Sequence, residues 1–172
     1  MIRRAILLAL AVTTAALAAE PPKRIVSLIP AVTEMIFAMG EGPRVVGVSS
    51  YDRFPPQVAA IAKVGGLLDP NVERLLALRP DLVIVYNTQQ ELKQRLERAA
   101  IPIFSYEHRG LPDITETLRA VGARIGSAEA ANRVAAKMES ELDAVRRSVA
   151  GRPRPKTLLV LDRKSTRLNS SH

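Results

Sequence analysis

Gly65-Gly66-Leu67-Leu68-Asp69-Pro70-Asn71-Val72-Glu73 runs on through Arg74-Leu75-Leu76-Ala77-Leu78-Arg79-Pro80-Asp81 into Leu82-Val83-Ile84-Val85-Tyr86, and this stretch decides the fold. It reads as a glycine loop, a short capped helix, a proline stop and a buried strand. Asn71 is a good N-cap, and Glu73 in the first turn suits the positive end of the helix dipole. Pro80 cannot continue a helix and biases Arg79 away from helical angles, so the helix ends there. The run from Leu82 to Val85 is apolar and rich in β-branched residues, which fits a strand covered on both faces. Tyr86 then emerges at the carboxyl end of that strand, where open α/β sheets place their ligands.

Working outward, the same rhythm repeats. Ile25-Val26-Ser27-Leu28-Ile29 reads as a first strand, and Pro30 opens a helix that Gly40 closes. Val45-Val46-Gly47-Val48 is a second strand, followed by the polar turn Ser49-Ser50-Tyr51-Asp52 and a short helical piece starting at Pro55-Pro56. Residues 91–100 form a helix with Leu92, Leu96 and Ala99 on one face, and residues 101–105 form another strand. Strands alternating with short helices imply a parallel sheet in an α/β, Rossmann-like lobe flanked by helices. The carboxyl ends of the strands then share one edge. That edge gathers Ile29-Pro30-Ala31, Ser49-Ser50-Tyr51, Tyr86-Asn87 and Ser105-Tyr106-Glu107-His108, and it is the expected ligand face.

After Leu111-Pro112 helix takes over, at 113–124 and then, capped by Ser127, at 128–149. Ala131, Val134, Met138, Leu142, Val145 and Val149 recur at three- and four-residue spacing and make one apolar stripe. Arg152-Pro153-Arg154-Pro155 stops the long helix, and residues 156–161 read as the first strand of a further lobe. The expected domains are therefore an N-terminal α/β lobe at 19–111 and a helical segment at 112–155, with the new strand after it.

The two ends stand apart. Residues 1–18 have the anatomy of a cleavable secretory signal: Arg3-Arg4, an apolar run, and Ala16-Leu17-Ala18 before the cut. No cysteine follows that site, so the expected product is free in the periplasm rather than lipid-anchored. Residues 162–172 lose all apolar periodicity and resemble a sequencing adapter translated in one frame, so the expectation is an artefactual tail and a gene that continues after Leu161.

Composition narrows the chemistry. The 172 residues are 47% hydrophobic and 24% charged, which favours a packed fold over disorder. The absence of cysteine excludes disulfides, thiol catalysis and thiolate metal sites. The net charge of +8 is halved once the two ends are set aside, and what remains shows no basic block, so no nucleic-acid partner is expected. No Walker lysine follows Gly65-Gly66, and no serine elbow or carboxylate pair stands out, so no catalytic residues and no enzyme activity are expected. Outside the suspect tail, His108 is the only histidine, so a multi-histidine metal site is not expected. Tyr106 and His108 could ligate haem iron, although a lone histidine in a polar loop is ordinarily just solvated.

Taken in order, Arg24-Ile25-Val26-Ser27-Leu28-Ile29-Pro30-Ala31-Val32-Thr33-Glu34, Val46-Gly47-Val48-Ser49-Ser50-Tyr51-Asp52, Phe54-Pro55-Pro56, Val64-Gly65-Gly66, Asn71-Val72-Glu73 and Leu78-Arg79-Pro80-Asp81-Leu82-Val83 carry a resemblance. From Arg24 to Leu161 the chain resembles the N-terminal half of periplasmic substrate-binding proteins of the cobalamin and iron-siderophore class, which serve ABC importers. The resemblance implies two α/β lobes joined by one long helix, here 128–149, with the second lobe missing. It implies binding and delivery rather than covalent chemistry, and a monomer as the working form. Glu73 resembles the glutamate that such proteins present to arginines of the permease; read alone, it is a helix-dipole carboxylate. Pro30, Ala31, Tyr51, Leu68 and Tyr86 fall on the implied ligand cleft, with Tyr51 matching an aromatic of the cobalamin binders. Tyr86 is equally readable as a strand-end residue packing against the helix that follows it. Members that bind cobalamin often place tryptophans in the cleft, where this chain offers Leu67 and Leu68. The implied ligand is a corrinoid first, with a ferric siderophore or haem as alternatives. With half of the cleft missing, a fragment of this length is expected to bind weakly.

Overall fold

The computed structural model describes residues 20–110 and 113–158. Residues 1–19, 111–112 and 159–172 lie outside it, and with them the expected signal segment and tail. Five strands make a single parallel sheet: β1 (Ile25–Ser27), β2 (Val45–Val48), β3 (Ala62–Lys63), β4 (Leu82–Tyr86) and β5 (Ile103–Tyr106). Their spatial order is β3-β2-β1-β4-β5, so the chain builds outward from β1 in one direction and then returns to build outward from it in the other. The helices are α1 (Pro30–Ala38), α2 (Val72–Ala77), α3 (Gln90–Arg98), α4 (Ile114–Arg124) and α5 (Ala128–Val149), with 3-10 turns at Gly42–Arg44 and Pro56–Ala60.

The period-two alternation of the central strands divides the core into two layers. Ile25, Leu82 and Ile84 face one way, onto Val32, Met35 and Ile36 of α1, Met39 just beyond it, Leu118 and Val121 of α4, and Ala131 and Ala135 of α5. Val26, Val83 and Val85 face the other way, onto Leu75 of α2 and Leu92 and Leu96 of α3. The strand residues from Leu82 to Val85 are wholly buried, as the uninterrupted apolar run predicts. Gly122 lets α5 approach α4 closely, because a Cβ there would stand 2.2 Å from the Ala131 Cβ.

The loop-helix-strand unit folds largely as its sequence reads. Asn71 Oδ1 accepts the Arg74 N–H at 2.9 Å, the N-cap bond that its residue type invites. The end of α2 differs in detail: the helix closes at Ala77, and Arg79 turns into the left-handed region at φ +48° instead of the extended backbone usual before proline. That bend turns carbonyls toward Arg24, whose Nε donates to Leu78 O (3.0 Å) and Arg79 O (3.2 Å), with Nη2 on Leu78 O at 2.6 Å. Asp81 completes the corner by accepting the main-chain N–H groups of Lys23 (2.7 Å) and Arg24 (2.8 Å). The amino ends of β1 and β4 are thus tied together on the rim opposite the expected ligand face.

A second tie lies between α1 and β2. Arg44 is partly buried; it donates through Nη1 to Glu41 Oε2 (2.9 Å), through Nη2 to Ile125 O (2.8 Å), and through Nε to Pro22 O (2.7 Å). Ser127, at the foot of α5, sends its hydroxyl proton to Glu41 Oε1. These hydrogen bonds from Ser127 and Arg44 hold the Glu41 carboxyl below its ordinary value.

The described residues form two compact units, one reaching to Lys137 and one starting at Met138. The second contains the end of α5, where Val145 and Val149 are exposed, and the Arg152-Pro153-Arg154-Pro155 stop. Of the strand expected at 156–161, residues 156–158 have no regular structure and the rest lie outside the described residues.

Candidate functional site

The strand order reverses between β1 and β4, and in open parallel sheets this switch point opens a crevice at the carboxyl edge. Pro30 and Ala31 leave the sheet there at the start of α1, Pro30 half-buried and Ala31 exposed. The strands on either side of β1 deliver the other candidates, Tyr51 just beyond β2 and Tyr86 at the end of β4.

Tyr51 is 67% exposed, yet its ring is placed: a Cβ on Gly66 would stand 2.5 Å from Tyr51 Cε2, so the ring lies across a backbone that only glycine leaves clear. Ser49 Oγ accepts the Tyr51 N–H at 3.1 Å, and Ser50 N–H donates to Gly65 O at 2.8 Å, which binds the β2 end to the glycine loop. Beyond Gly66 the loop presents Leu67 and, at 94% exposure, Leu68. Phe54 is also exposed at 61%, three residues beyond Tyr51. Tyr51 and Leu68, beyond the carboxyl ends of β2 and β3, are large apolar groups in water that suit a bulky apolar ligand.

Tyr86 is half-buried and packs edge-on against Tyr106, with ring centroids 5.7 Å apart. This ring contact is with the neighbouring strand β5. Tyr106 is buried, its hydroxyl engages His108 Nδ1 at 3.0 Å, and burial followed by the nearby Tyr86 pushes its acidity to higher pH. Among the described residues no cluster of three or more potential metal-ligating side chains occurs.

Glu73 stands exposed in the first turn of α2 and has no ion-pair partner among the described residues. It follows the Leu67-Leu68 loop by five residues, so the apolar loop and the carboxylate leave the same edge together.

Two features escape sequence reasoning. One is Gln89, which reads as an ordinary polar residue before a helix but is buried against the loop. The other is Asp52. The turn it closes reads as polar, yet Asp52 is 2% exposed and neither carboxylate oxygen has a hydrogen-bond partner. Lys63 Nζ sits nearby but donates to the main-chain carbonyls of Asp52 (3.2 Å) and Val58 (3.1 Å), and the Thr33 hydroxyl donates to Ile29 O. Burial raises the Asp52 pKa above the ordinary carboxyl value, against weaker opposing pulls from Thr33 and Lys63. The folded lobe therefore holds this proton more tightly than the unfolded chain, and Asp52 costs stability as pH rises from the ordinary carboxyl range through the shifted one. Asp52→Asn is expected to stabilise the lobe by about 1–2 kcal/mol at pH 7.5. Denaturant titration at several pH values should show that gain shrinking toward zero near pH 4; a gain that does not change with pH would refute the assignment.

The chain matches, over residues 25–166, the family model described as Periplasmic binding protein. It belongs to the periplasmic binding protein family. As a periplasmic binding protein it is 34% identical over 133 residues to the vitamin B12-binding protein of Pectobacterium carotovorum subsp. carotovorum (strain PC1), a match covering 76% of this chain and 48% of that one. The crystal structure of the periplasmic vitamin B12 binding protein BtuF of Vibrio cholerae superposes with a TM-score of 0.68 at 28% identity, over 76% of this chain and 52% of that one. The apo form of the periplasmic heme-binding protein RhuT from Roseiflexus sp. RS-1 superposes with a TM-score of 0.71 at 31% identity, over 77% and 52%. The chain spans about half the length of the relatives it matches. No described helix is long and apolar enough to cross a membrane.

Proposed function

We propose that this chain supplies a ligand-capturing lobe of a periplasmic substrate-binding protein that takes up a corrinoid and delivers it to the permease of an ABC importer. The observation that carries the reading is the carboxyl edge, where Tyr51, Phe54 and Leu68 stand in water beside a parallel-sheet switch point. Pro30, Ala31 and the exposed part of Tyr86 complete the contact surface. Flat and branched apolar groups suit a large macrocycle, whose affinity comes from burial with a few polar contacts for orientation. The likeness to vitamin B12-binding proteins favours the corrinoid, and the likeness to a heme-binding protein makes haem the second reading. Residues 1–18 export the chain as a soluble periplasmic protein.

Equilibrium titration with cyanocobalamin, haemin and a ferric siderophore tests the ligand. Cyanocobalamin is expected to bind most tightly of the three, and Tyr51→Ser to weaken it about tenfold through lost apolar burial. Haemin binding more tightly than cyanocobalamin would transfer the reading to haem.

Glu73 is the proposed contact to the permease. Replacing an exposed, unpaired carboxylate at a helix start forfeits only its interaction with the helix dipole, about 0.3–1 kcal/mol, whereas reversing its charge opposite cationic partner residues is costly. Glu73→Arg is expected to weaken capture by the reconstituted importer at least tenfold, with cyanocobalamin affinity unchanged and the unfolding midpoint lowered by only a few degrees. Equal capture of the two proteins would remove Glu73 from the interface.

A further inference from the structure

The loop that carries Leu67 and Leu68 is held to the rest of the lobe by little. Its base is fixed at Gly65, whose carbonyl takes the Ser50 N–H, and at Asn71, whose N–H donates to Val64 O at 2.9 Å. Between these points, among the described residues, one hydrogen bond reaches residues 66–70 from elsewhere: Gln89 Nε2 donates to Leu67 O at 3.0 Å. The other end of the same amide is committed too, since Gln89 Oε1 accepts the Tyr86 N–H at 3.0 Å. The main chain of Gln89 is fixed in turn, with its N–H on Tyr86 O (3.1 Å) and its carbonyl accepting Lys93 N–H (3.0 Å) in the first turn of α3. The side chain is 9% exposed. One buried amide thus bridges the end of β4 and a loop 22 residues away in sequence.

We propose that Gln89 is a positioning residue: it sets the Leu67-Leu68 loop against Tyr86, and so fixes the spacing of two parts of the surface that this lobe presents to an apolar ligand. The chemistry requires a primary amide, because the bridge needs an acceptor for Tyr86 N–H and a donor for Leu67 C=O on one planar group. Leucine offers neither. An ionised glutamate satisfies Tyr86 but turns an anionic oxygen on the Leu67 carbonyl, whereas a protonated glutamate restores both bonds. Without the bridge Leu67 and Leu68 stay exposed, but their distance from Tyr86 is no longer held. The ligand part of this proposal rests on the function proposed above; the bridge does not.

The test is hydrogen exchange at the Ser50 and Asn71 amides, whose bonds to Gly65 O and Val64 O fix the two ends of the loop, in the full chain, followed at pH 5 and pH 8 and corrected for intrinsic rates, with cyanocobalamin titrated in parallel. Gln89→Leu should speed exchange at these amides about fivefold to tenfold at both pH values. Gln89→Glu should do so at pH 8 and return to the wild-type rate at pH 5, since burial favours the protonated acid. Asp69, Glu91 and Arg95 border the same groove and are common to all three proteins, so the wild type at each pH is the reference. Cyanocobalamin affinity should follow the same pattern: weakened by Leu, weakened by Glu at pH 8, rescued at pH 5. Unchanged exchange in both variants overturns the proposal. So does a loosened loop with undiminished cyanocobalamin affinity. If the wild type binds no cyanocobalamin while exchange follows the expected pattern, the bridge stands and the corrinoid reading falls.

Discussion

Gly65→Ala is expected to destabilise the lobe by about 3 kcal/mol or more, and to dislodge the start of α2. Two costs combine. Gly65 has φ +89°, a conformation that alone costs an L-residue roughly 1–2 kcal/mol. A Cβ there would also stand 2.2 Å from Asp69 O, 2.8 Å from Asn71 N and 2.9 Å from Pro70 Cα, all main-chain atoms with no rotamer to yield. Relieving such overlap by moving backbone typically costs a further 1–3 kcal/mol or so. Gly40 is the control, because it has φ +85° and nothing within 4 Å of the added Cβ. Gly40→Ala should therefore show the conformational cost alone, about 1–2 kcal/mol. Denaturant unfolding of both variants separates the two costs, and equal losses would show that the crowding around Gly65 is absorbed.

Arg44→Met is expected to cost about 3 kcal/mol and to lower the thermal midpoint by about 10 °C. Methionine keeps the apolar stem but leaves the Pro22 and Ile125 carbonyls and the half-buried Glu41 carboxylate without the guanidinium. Orphaning the carboxylate is the larger part of that loss. Adding Glu41→Gln should therefore recover about 1–2 kcal/mol, a coupling that a double-mutant cycle reads directly. The pH response gives a second check. Because the Glu41 carboxyl is held below its ordinary value, its stabilisation is present above the ordinary carboxyl range and lost as pH falls through the folded value. Arg44→Met should flatten part of that acid limb, with the Ser127 hydrogen bond retaining the remainder.

The central layer was legible because its signals are local. A β-branched run between a proline and an aromatic marks β4, Asn71 marks the start of α2, and the apolar spacing of Leu92 and Leu96 marks the buried face of α3. The edge strand β3 was not legible. Ala62–Lys63 carries no apolar run, and it is a strand only because β2 offers Gly47 and Val48 for pairing. The site divides the same way. Alternating strands and helices place Tyr51 and Tyr86 on one edge, but nothing in the sequence near Gln89 shows that its amide reaches Leu67. The burial of Asp52 is illegible for a related reason: nothing in the polar turn 49–52 shows that Thr33 of α1 and Lys63 of β3 lie beside it.

The tie between Arg24, Asp81 and the end of α2 sits at the opposite end of the sheet from Tyr51, Phe54 and Leu68. The lobe consequently has one end in which nearly every group is committed and another whose most prominent side chains are committed to almost nothing. Exchanging Phe54 or Leu68 sacrifices little buried area, so descendants of this sequence can vary at those positions while the fold stands still. A randomised library confined to 54 and 68, screened against several macrocycles, should therefore yield folded members at high frequency, whereas one confined to 24 and 81 should not.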